Sequence, residues 1–170
     1  MSKEKGKSDN DKQLSVCLKI EDILPILNEI SIFAGLNDKQ LYTLFRFLEK
    51  AHYKKGEKVF NQGEQPSYIY IVQSGRIKLI VNAKQTPLEL IVFKEGQCFG
   101  ETSVIGIQPH AATAVAVEET ELIVLSRNAL LSLFKVDLEL FSVLILNIAR
   151  EACRRLHKTD EILMHYVLNE

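Results

Sequence analysis

Tyr68-Ile69-Tyr70-Ile71-Val72-Gln73-Ser74-Gly75-Arg76-Ile77-Lys78-Leu79-Ile80-Val81 is the stretch on which the reading of the fold turns. Two runs rich in β-branched and aromatic residues flank Gln73-Ser74-Gly75-Arg76, where glycine can supply a positive φ. The pattern predicts a β-hairpin, Tyr68–Val72 against Ile77–Val81. Upstream, KKGEKVFNQGE over residues 54–64 reads as a short β-rich run broken by Gly56 and Gly63. Downstream, Leu88–Phe93, Thr113–Val117 and Glu121–Leu125 are separated by turn residues. Several short strands at this spacing predict an antiparallel sandwich or barrel.

Helical periods bracket this region. Between Ile20 and Ile32, the residues Ile20, Ile23, Leu24, Leu27 and Ile30 recur at helical spacing, with Pro25 placed for a first turn. A second helix starts at Asn37, which can cap it while Gln40 reaches back as in a capping box. Leu36 and Leu41 suit a hydrophobic staple, and Leu41, Leu44, Phe45 and Leu48 make one apolar face. After Ser126, a cap, Leu130, Leu131, Leu133 and Phe134 resume the period, and a long helix is expected from about Asp137 almost to Tyr166. Along it Leu146, Ala149, Cys153, Leu156, Leu163 and Val167 fall three or four apart, with Asp160 interrupting the stripe. That stripe either packs on the β domain or, above all beyond Leu156, pairs with a second chain.

Composition narrows the class. The chain has 170 residues, 46% hydrophobic and 25% charged, as expected of one globular domain. With 21 Lys+Arg against 22 Asp+Glu, the net charge of −1 gives no global attraction to nucleic acid or an anionic membrane. No apolar run reaches the roughly 18 residues of a membrane span. The polar start, MSKEKGKSDNDK, lacks the apolar segment of a secretory signal, so a cytoplasmic location is expected. Cys17, Cys98 and Cys153 are scattered and read as reduced thiols without a disulfide framework or metal site. Residues 1–19 are expected to be a disordered tail, residues 20–136 a β domain with N-terminal helices, and residues 137–170 the long C-terminal helix.

The segment with most chemical content is Phe99-Gly100-Glu101-Thr102-Ser103-Val104-Ile105-Gly106-Ile107-Gln108-Pro109-His110-Ala111-Ala112-Thr113. It resembles the phosphate-binding cassette of the cyclic nucleotide-binding domain family, which opens with Phe-Gly-Glu, forms a short helix and closes about nine residues later with Arg-(Ala/Ser/Thr)-Ala-(Thr/Ser). The likeness extends over about residues 32–156, through Lys54-Lys55-Gly56-Glu57, Gln62-Gly63-Glu64, Tyr70-Ile71-Val72 and Ser74-Gly75-Arg76. The fold it implies is mainly β with flanking helices: an eight-stranded, jelly-roll-like β-roll (a double-stranded β-helix) followed by the long helix.

The resemblance implies a ligand-binding set of Phe99, Gly100, Glu101, Thr102, Ser103, His110, Ala111 and Ala112, lined by Leu79 and Leu90. A short helix starting at Gly100 would direct free amides at a cyclic phosphate, and glycine would permit close approach. Glu101, as an acceptor, would take the ribose 2′-hydroxyl, and the Ala111 amide would add a donor. Outside this cassette, Glu101 would read as a carboxylate favoured by a helix N-terminus. In the family, Thr or Ser after the arginine tends to accompany cGMP, so Ala111 implies cAMP. Cys153-Arg154-Arg155-Leu156-His157-Lys158-Thr159 resembles the long helix of bacterial catabolite-activator-type regulators, where a Thr touches the adenine amino group across the dimer. Thr159 is thus the lid candidate, with an exposed helical threonine as the alternative.

The departure is His110, where ligand-binding members carry Arg. Arginine offers a fixed, permanently charged fork; histidine offers one donor whose charge depends on pH. Losing one charge-assisted bond would weaken binding about ten- to a hundredfold. Three readings stay open: a weak, pH-dependent phosphate ligand, a pocket for a different anion, and a degenerate pocket in a domain that makes only protein contacts.

Catalytic signatures are missing: no Gly-x-Ser-x-Gly, His-Glu-x-x-His, Walker or dinucleotide motif is found, so no enzyme and no cofactor are expected. Cys98 reads as buried and apolar rather than as half of a dyad with His110, and His52, His157 and His165 read as surface residues. No helix-turn-helix segment follows the long helix, and residues 137–170 hold four Lys+Arg against six Asp+Glu, so this chain is not expected to bind DNA. The expectation is a regulatory module that binds a cyclic nucleotide, most simply cAMP, as a homodimer through the C-terminal helix, acting on an unknown downstream protein without contacting a membrane.

Overall fold

The computed structural model describes residues 14–15, 23–82 and 87–168. Among these, nine strands form two antiparallel sheets, one strand more than the resemblance implies. They are β1 (Leu14–Ser15), β2 (Leu48–Tyr53), β3 (Lys58–Phe60), β4 (Tyr68–Ser74), β5 (Ile77–Asn82), β6 (Pro87–Phe93), β7 (Cys98–Phe99), β8 (Thr113–Ala116) and β9 (Thr120–Ser126). One sheet has the order β1-β2-β9-β4-β7, the other β3-β8-β5-β6.

The predicted hairpin is corrected by this topology. β4 pairs with β7 and β9, while β5 pairs with β6 and β8, so the two runs lie in different sheets. Gly75, at φ 85°, carries the chain from one sheet to the other. A Cβ there would lie 2.6 Å from both the Glu119 carbonyl oxygen and the Thr120 Oγ1, so the corner is closed against the β8–β9 connection. The Arg76 amide donates to Thr120 Oγ1 at 3.3 Å and the Val117 amide to the Arg76 carbonyl at 2.9 Å. A tight hairpin turn and a roll corner demand the same glycine, which is why the local pattern did not separate them.

Side-chain alternation builds two cores. Along β4, Tyr70 and Val72 face the interior between the sheets, while Ile69 and Ile71 face the helices; along β9, Leu122 and Val124 are opposed to Ile123 and Leu125 in the same way. Both strands are therefore buried on two faces and read as unbroken apolar runs. The inner cluster is aromatic, with Phe60, Tyr70 and Phe99 in mutual ring contact and Phe93 stacked on Phe99.

The helical layer covers the five-stranded sheet. The helix expected over residues 20–32 is corrected to two 3-10 segments, Leu24–Glu29 and Ser31–Phe33, separated by the extended backbone of Ile30. Helix α1 (Asp38–Phe45) has the predicted box: Asn37 Oδ1 accepts from the Gln40 amide at 2.9 Å, and Gln40 Oε1 from the Asn37 amide at 3.0 Å. Leu36 and Leu41 pack on the same cluster, but Leu48, assigned above to the helix face, opens β2.

The expected tail also needs correction at Leu14 and Ser15, which pair with Ala51 and Lys50 of β2; the rest of residues 1–19, including Cys17, lies outside the described residues.

Ser126 Oγ accepts from the Ala129 amide at 3.0 Å and starts α3 (Arg127–Val136). Asp137 Oδ1 accepts from the Leu140 amide at 2.9 Å and starts α4 (Leu138–Leu168), 31 residues and about 46 Å long. Leu140, Leu144 and Ile148 anchor α4 in the helical core, and Asn147 Nδ2 donates to the carbonyls of Ile32 (3.2 Å) and Ala34 (2.7 Å). The stripe singled out in the sequence is not this anchoring row: Leu146, Ala149, Cys153 and Leu156 are exposed, as are Asp160, Leu163 and Val167. None of the described helices is long and apolar enough to cross a membrane.

Candidate functional site

The cassette begins where β7 ends. Cys98 faces the helical core and Phe99 the roll interior, so the chain leaves the sheet edge between the two clusters. Gly100 then adopts φ 80°, a left-handed backbone that side chains resist, and a Cβ would stand 3.1 Å from the Tyr68 carbonyl oxygen and the Tyr70 ring. Glycine is thus required for both conformation and space. Helix α2 (Glu101–Gly106) follows, its first hydrogen bond running from the Val104 amide to the Gly100 carbonyl at 3.1 Å, and Ile107 ends it in a left-handed conformation.

Glu101 has no exposed surface. One carboxylate oxygen, Oε1, accepts from the guanidinium of Arg155 on α4; the other, Oε2, is buried without a hydrogen-bond partner. Burial pushes this carboxyl above its ordinary pKa, and the Arg155 charge partly opposes the shift. Arg155 itself lies 5.5 Å from the Phe93 ring centroid, 4.0 Å from Cys98 Sγ and 4.0 Å from Glu151. Glu151 also accepts from Ser31 Oγ at 3.2 Å, which joins the group to the N-terminal 3-10 segments.

His110 sits on the other flank of the cassette. Its backbone is pinned by two bonds, from the Gly63 amide to its carbonyl (2.8 Å) and from its amide to the Glu64 carbonyl (2.9 Å). The imidazole is 5% exposed and stacks on Phe60, ring centroids 3.6 Å apart and planes 8° from parallel. Burial lowers its pKa below the ordinary value, with Glu64 acting weakly in the opposite sense. The ring is therefore neutral at pH 7.

The other expected site residues are spread over several environments. Phe99 is an interior ring against Tyr70 and Phe93; Ala112 is buried, Ser103 half-buried, and Thr102 and Ala111 exposed. Leu79 packs on the interior cluster, whereas Leu90 is 53% exposed where β6 bulges, between the pairs Leu79–Ile91 and Ile80–Glu89. Thr159 is exposed on α4, its Oγ1 donating to the Arg155 carbonyl at 2.9 Å. Three contributors were not identified from sequence: Arg155, Phe93 and Phe60. Arg155 stood in a quoted run, but its long-range partner has no local signal.

Cys98 is buried in the helical core, its thiol pushed up to about 12 chiefly by burial. His110 stacks instead in the interior cluster, so the two share no catalytic geometry. His52, His157 and His165 are exposed.

Two antiparallel sheets forming a β-roll, a short glycine-started helix and a long C-terminal helix packed beside it define the architecture. Residues 50–137 match the family model for the cyclic nucleotide-binding domain, and the chain belongs to that family. It is 30% identical over 132 residues to the cyclic AMP receptor protein of Thermus thermophilus, covering 76% of this chain and 58% of that protein. It is 32% identical over 124 residues to the cAMP-dependent protein kinase regulatory subunit of Debaryomyces hansenii, covering 71% and 26%. Among solved structures, the Thermus thermophilus catabolite activator protein superposes with a TM-score of 0.71 at 28% identity, covering 81% of this chain and 63% of that one. The chain thus spans less than two thirds of the length of these relatives.

Proposed function

We propose that this chain is a cytoplasmic, non-catalytic regulatory module that binds cAMP in the cassette and passes the signal through α4 as a homodimer to a downstream protein. The observation that carries this reading is Glu101: a fully buried carboxylate with one oxygen on Arg155 and the other, Oε2, without a partner. A buried acceptor left unpaired costs free energy, and a ribose hydroxyl would satisfy it. The left-handed Gly100 and the start of α2 would receive the cyclic phosphate. Because Arg155 belongs to α4, a ligand that engages Glu101 changes what holds that helix, and can select between two of its positions. Ala111, following the histidine, favours cAMP over cGMP.

Calorimetric titration of the purified chain with cAMP and cGMP at pH 6 and pH 8 tests this. Saturable heat with cAMP in preference to cGMP supports the reading, and no heat and no change in melting temperature with either nucleotide overturns it.

A specific observation favours a second reading, a protein-interaction scaffold with no nucleotide or with a different anion. The neutral His110 ring is committed to Phe60 and offers no standing positive charge to a phosphate. His110→Arg separates the two, since it tightens cAMP binding in the first case and creates none in the second.

A further inference from the structure

Arg155 stands between two carboxylates, Glu101 of the cassette and Glu151 of its own helix. Its guanidinium donates to Glu101, while its Nε, buried and without a hydrogen-bond partner among the described residues, lies 4.0 Å from Glu151 Oε1. Glu151 is one turn earlier on α4, so side-chain rotation alone would close that gap. Its other oxygen is engaged elsewhere: Oε2 accepts from Ser31 Oγ at 3.2 Å and from Arg154 Nε at 3.2 Å. Arg154 belongs to the same helix, but Ser31 belongs to the second 3-10 segment.

That segment is fixed on two sides. A Cβ on Gly96, in the turn between β6 and β7, would lie 2.8 Å from the Cβ and the carbonyl oxygen of Glu29, so the 3-10 segments abut the turn that leads into the cassette. Asn147, one turn before Glu151, holds the carbonyls of Ile32 and Ala34 to α4. Ser31 thus sits between the approach to the cassette and the long helix.

We propose that Glu151 is a positioning residue for the candidate site: it competes with Glu101 for Arg155, and the Ser31 hydroxyl, by holding Glu151 back, commits the guanidinium to the cassette. The inference rests on the preceding reading of Glu101 as the ligand's acceptor and adds control of that acceptor from the N-terminal 3-10 segments.

Charge decides the outcome of this competition. A guanidinium carries five donors in a planar fork and can bridge two carboxylates, but its single positive charge is then divided between them. Among the described residues, the titratable groups that face Glu101 are Arg155 and Glu151 from α4 and the Cys98 thiol from β7. The thiol is neutral at pH 7, so Arg155 and Glu151 act on the carboxylate in opposite senses. If Glu151 closes on Nε, that buried donor is satisfied and Glu101 keeps less of the charge that holds it ionised. An ionised Glu101 is acceptor-only and suits a ligand hydroxyl at Oε2; a protonated one gives up part of that capacity. By linkage, a ligand that favours the Glu101–Arg155 pair also favours the Ser31–Glu151 bond.

Carbon-13 NMR titration of the Glu101 side-chain carboxyl in the full chain tests this without ligand. Glu151→Gln should lower its pKa by removing the competitor. Ser31→Ala, which takes away no charge, should raise it, and Ser31→Thr, which keeps the hydroxyl, should preserve the parent value. The double variant Ser31→Ala/Glu151→Gln should titrate as Glu151→Gln does, because the hydroxyl acts only through Glu151. Calorimetry adds a second readout: Ser31→Ala should weaken cAMP binding about fivefold at pH 6, the worth of one neutral hydrogen bond. A Glu101 titration unmoved by Ser31→Ala, or a double variant in which the two single effects simply add, overturns the role of Glu151. A shifted titration with equal cAMP affinity in the parent and Ser31→Ala overturns the control of binding. If the carboxyl responds as expected yet no cyclic nucleotide binds the parent chain, Glu151 still positions Arg155 and the nucleotide reading fails alone.

Discussion

The Glu101 carboxylate of the cassette and the Arg155 guanidinium of α4, 54 residues apart, form an ion pair where the roll meets its long helix. Glu101 is wholly buried and Arg155 is 26% exposed. Attraction in such a place is offset by the cost of removing both charges from water, so the pair contributes little net stability while intact. Its significance lies in coupling, because the buried acceptor of the cassette is held by the long helix that also packs on the N-terminal 3-10 segments.

Arg155→Ala should therefore destabilise strongly by leaving a buried carboxylate without its cation. The expected loss is about 3 kcal/mol at pH 7, the low end for breaking a buried pair because Arg155 is partly exposed. That corresponds to a fall in melting temperature of about 6–12 °C. Burial already raises the Glu101 pKa, and without Arg155 it rises further. A raised carboxyl pKa means stability is recovered as pH falls toward the unfolded value, so the deficit should shrink between pH 7 and pH 5 in thermal melts.

His110→Arg should strengthen cAMP binding about ten- to a hundredfold, the worth of one added charge-assisted hydrogen bond. Calorimetry would read this directly. An unchanged affinity would mean that the phosphate does not approach position 110.

The lowered pKa of His110 bears on both stability and ligand binding. Its folded-state pKa is lowered, so the neutral ring's contribution to stability is present above about pH 6.5 and is lost as pH falls below it. His110→Phe, which can keep a ring against Phe60, should flatten that loss in melts between pH 7.5 and pH 5. A phosphate that contacts the ring favours its protonated form, so cAMP affinity should rise from pH 8 to pH 6. A flat affinity would show that the imidazole stays on Phe60 when ligand binds.

Gly75→Ala and Gly56→Ala share a starting backbone, φ 85° in each. At Gly56 a Cβ meets nothing within 4 Å, so the cost is the left-handed penalty alone, about 1–2 kcal/mol. At Gly75 the Cβ would be driven to 2.6 Å from Glu119 and Thr120 atoms, and the loss should be clearly larger. Equal melting temperatures for the two variants would refute the view that Gly75 is closed against the β8–β9 connection.

Much of the molecule was legible because its signals are local. The Asn37–Gln40 box and the Ser126 cap each join residues three apart and were found where the spacing put them, and the long helix starts at the expected Asp137. The strands β4, β5, β6, β8 and β9 were legible within two residues because turn residues bound them, whereas β2, whose first residue continues the helical spacing, and the two-residue β7 were not. The Ile30 break was not, since Ile23, Leu24, Leu27 and Ile30 have the same spacing in a helix as in two short 3-10 segments that bury one side. Leu14–Ser15 were missed because two residues carry no period, and only β2 makes them a strand.

By itself the sequence determined five of the strands, the Asn37 and Ser126 caps, the start of the long helix, the cassette with its Gly100 and Glu101, and the apolar row on the long helix, each signalled by neighbouring residues or by a regular spacing. Only the tertiary structure decided that β4 and β5 part into different sheets, that His110 turns onto Phe60, and that Arg155 meets Glu101 while the apolar row stays exposed on α4. The physical reason is that these depend on which distant surfaces exclude water together. A glycine turn, a histidine or a helical arginine has the same local preferences whichever partner the packed chain brings to it.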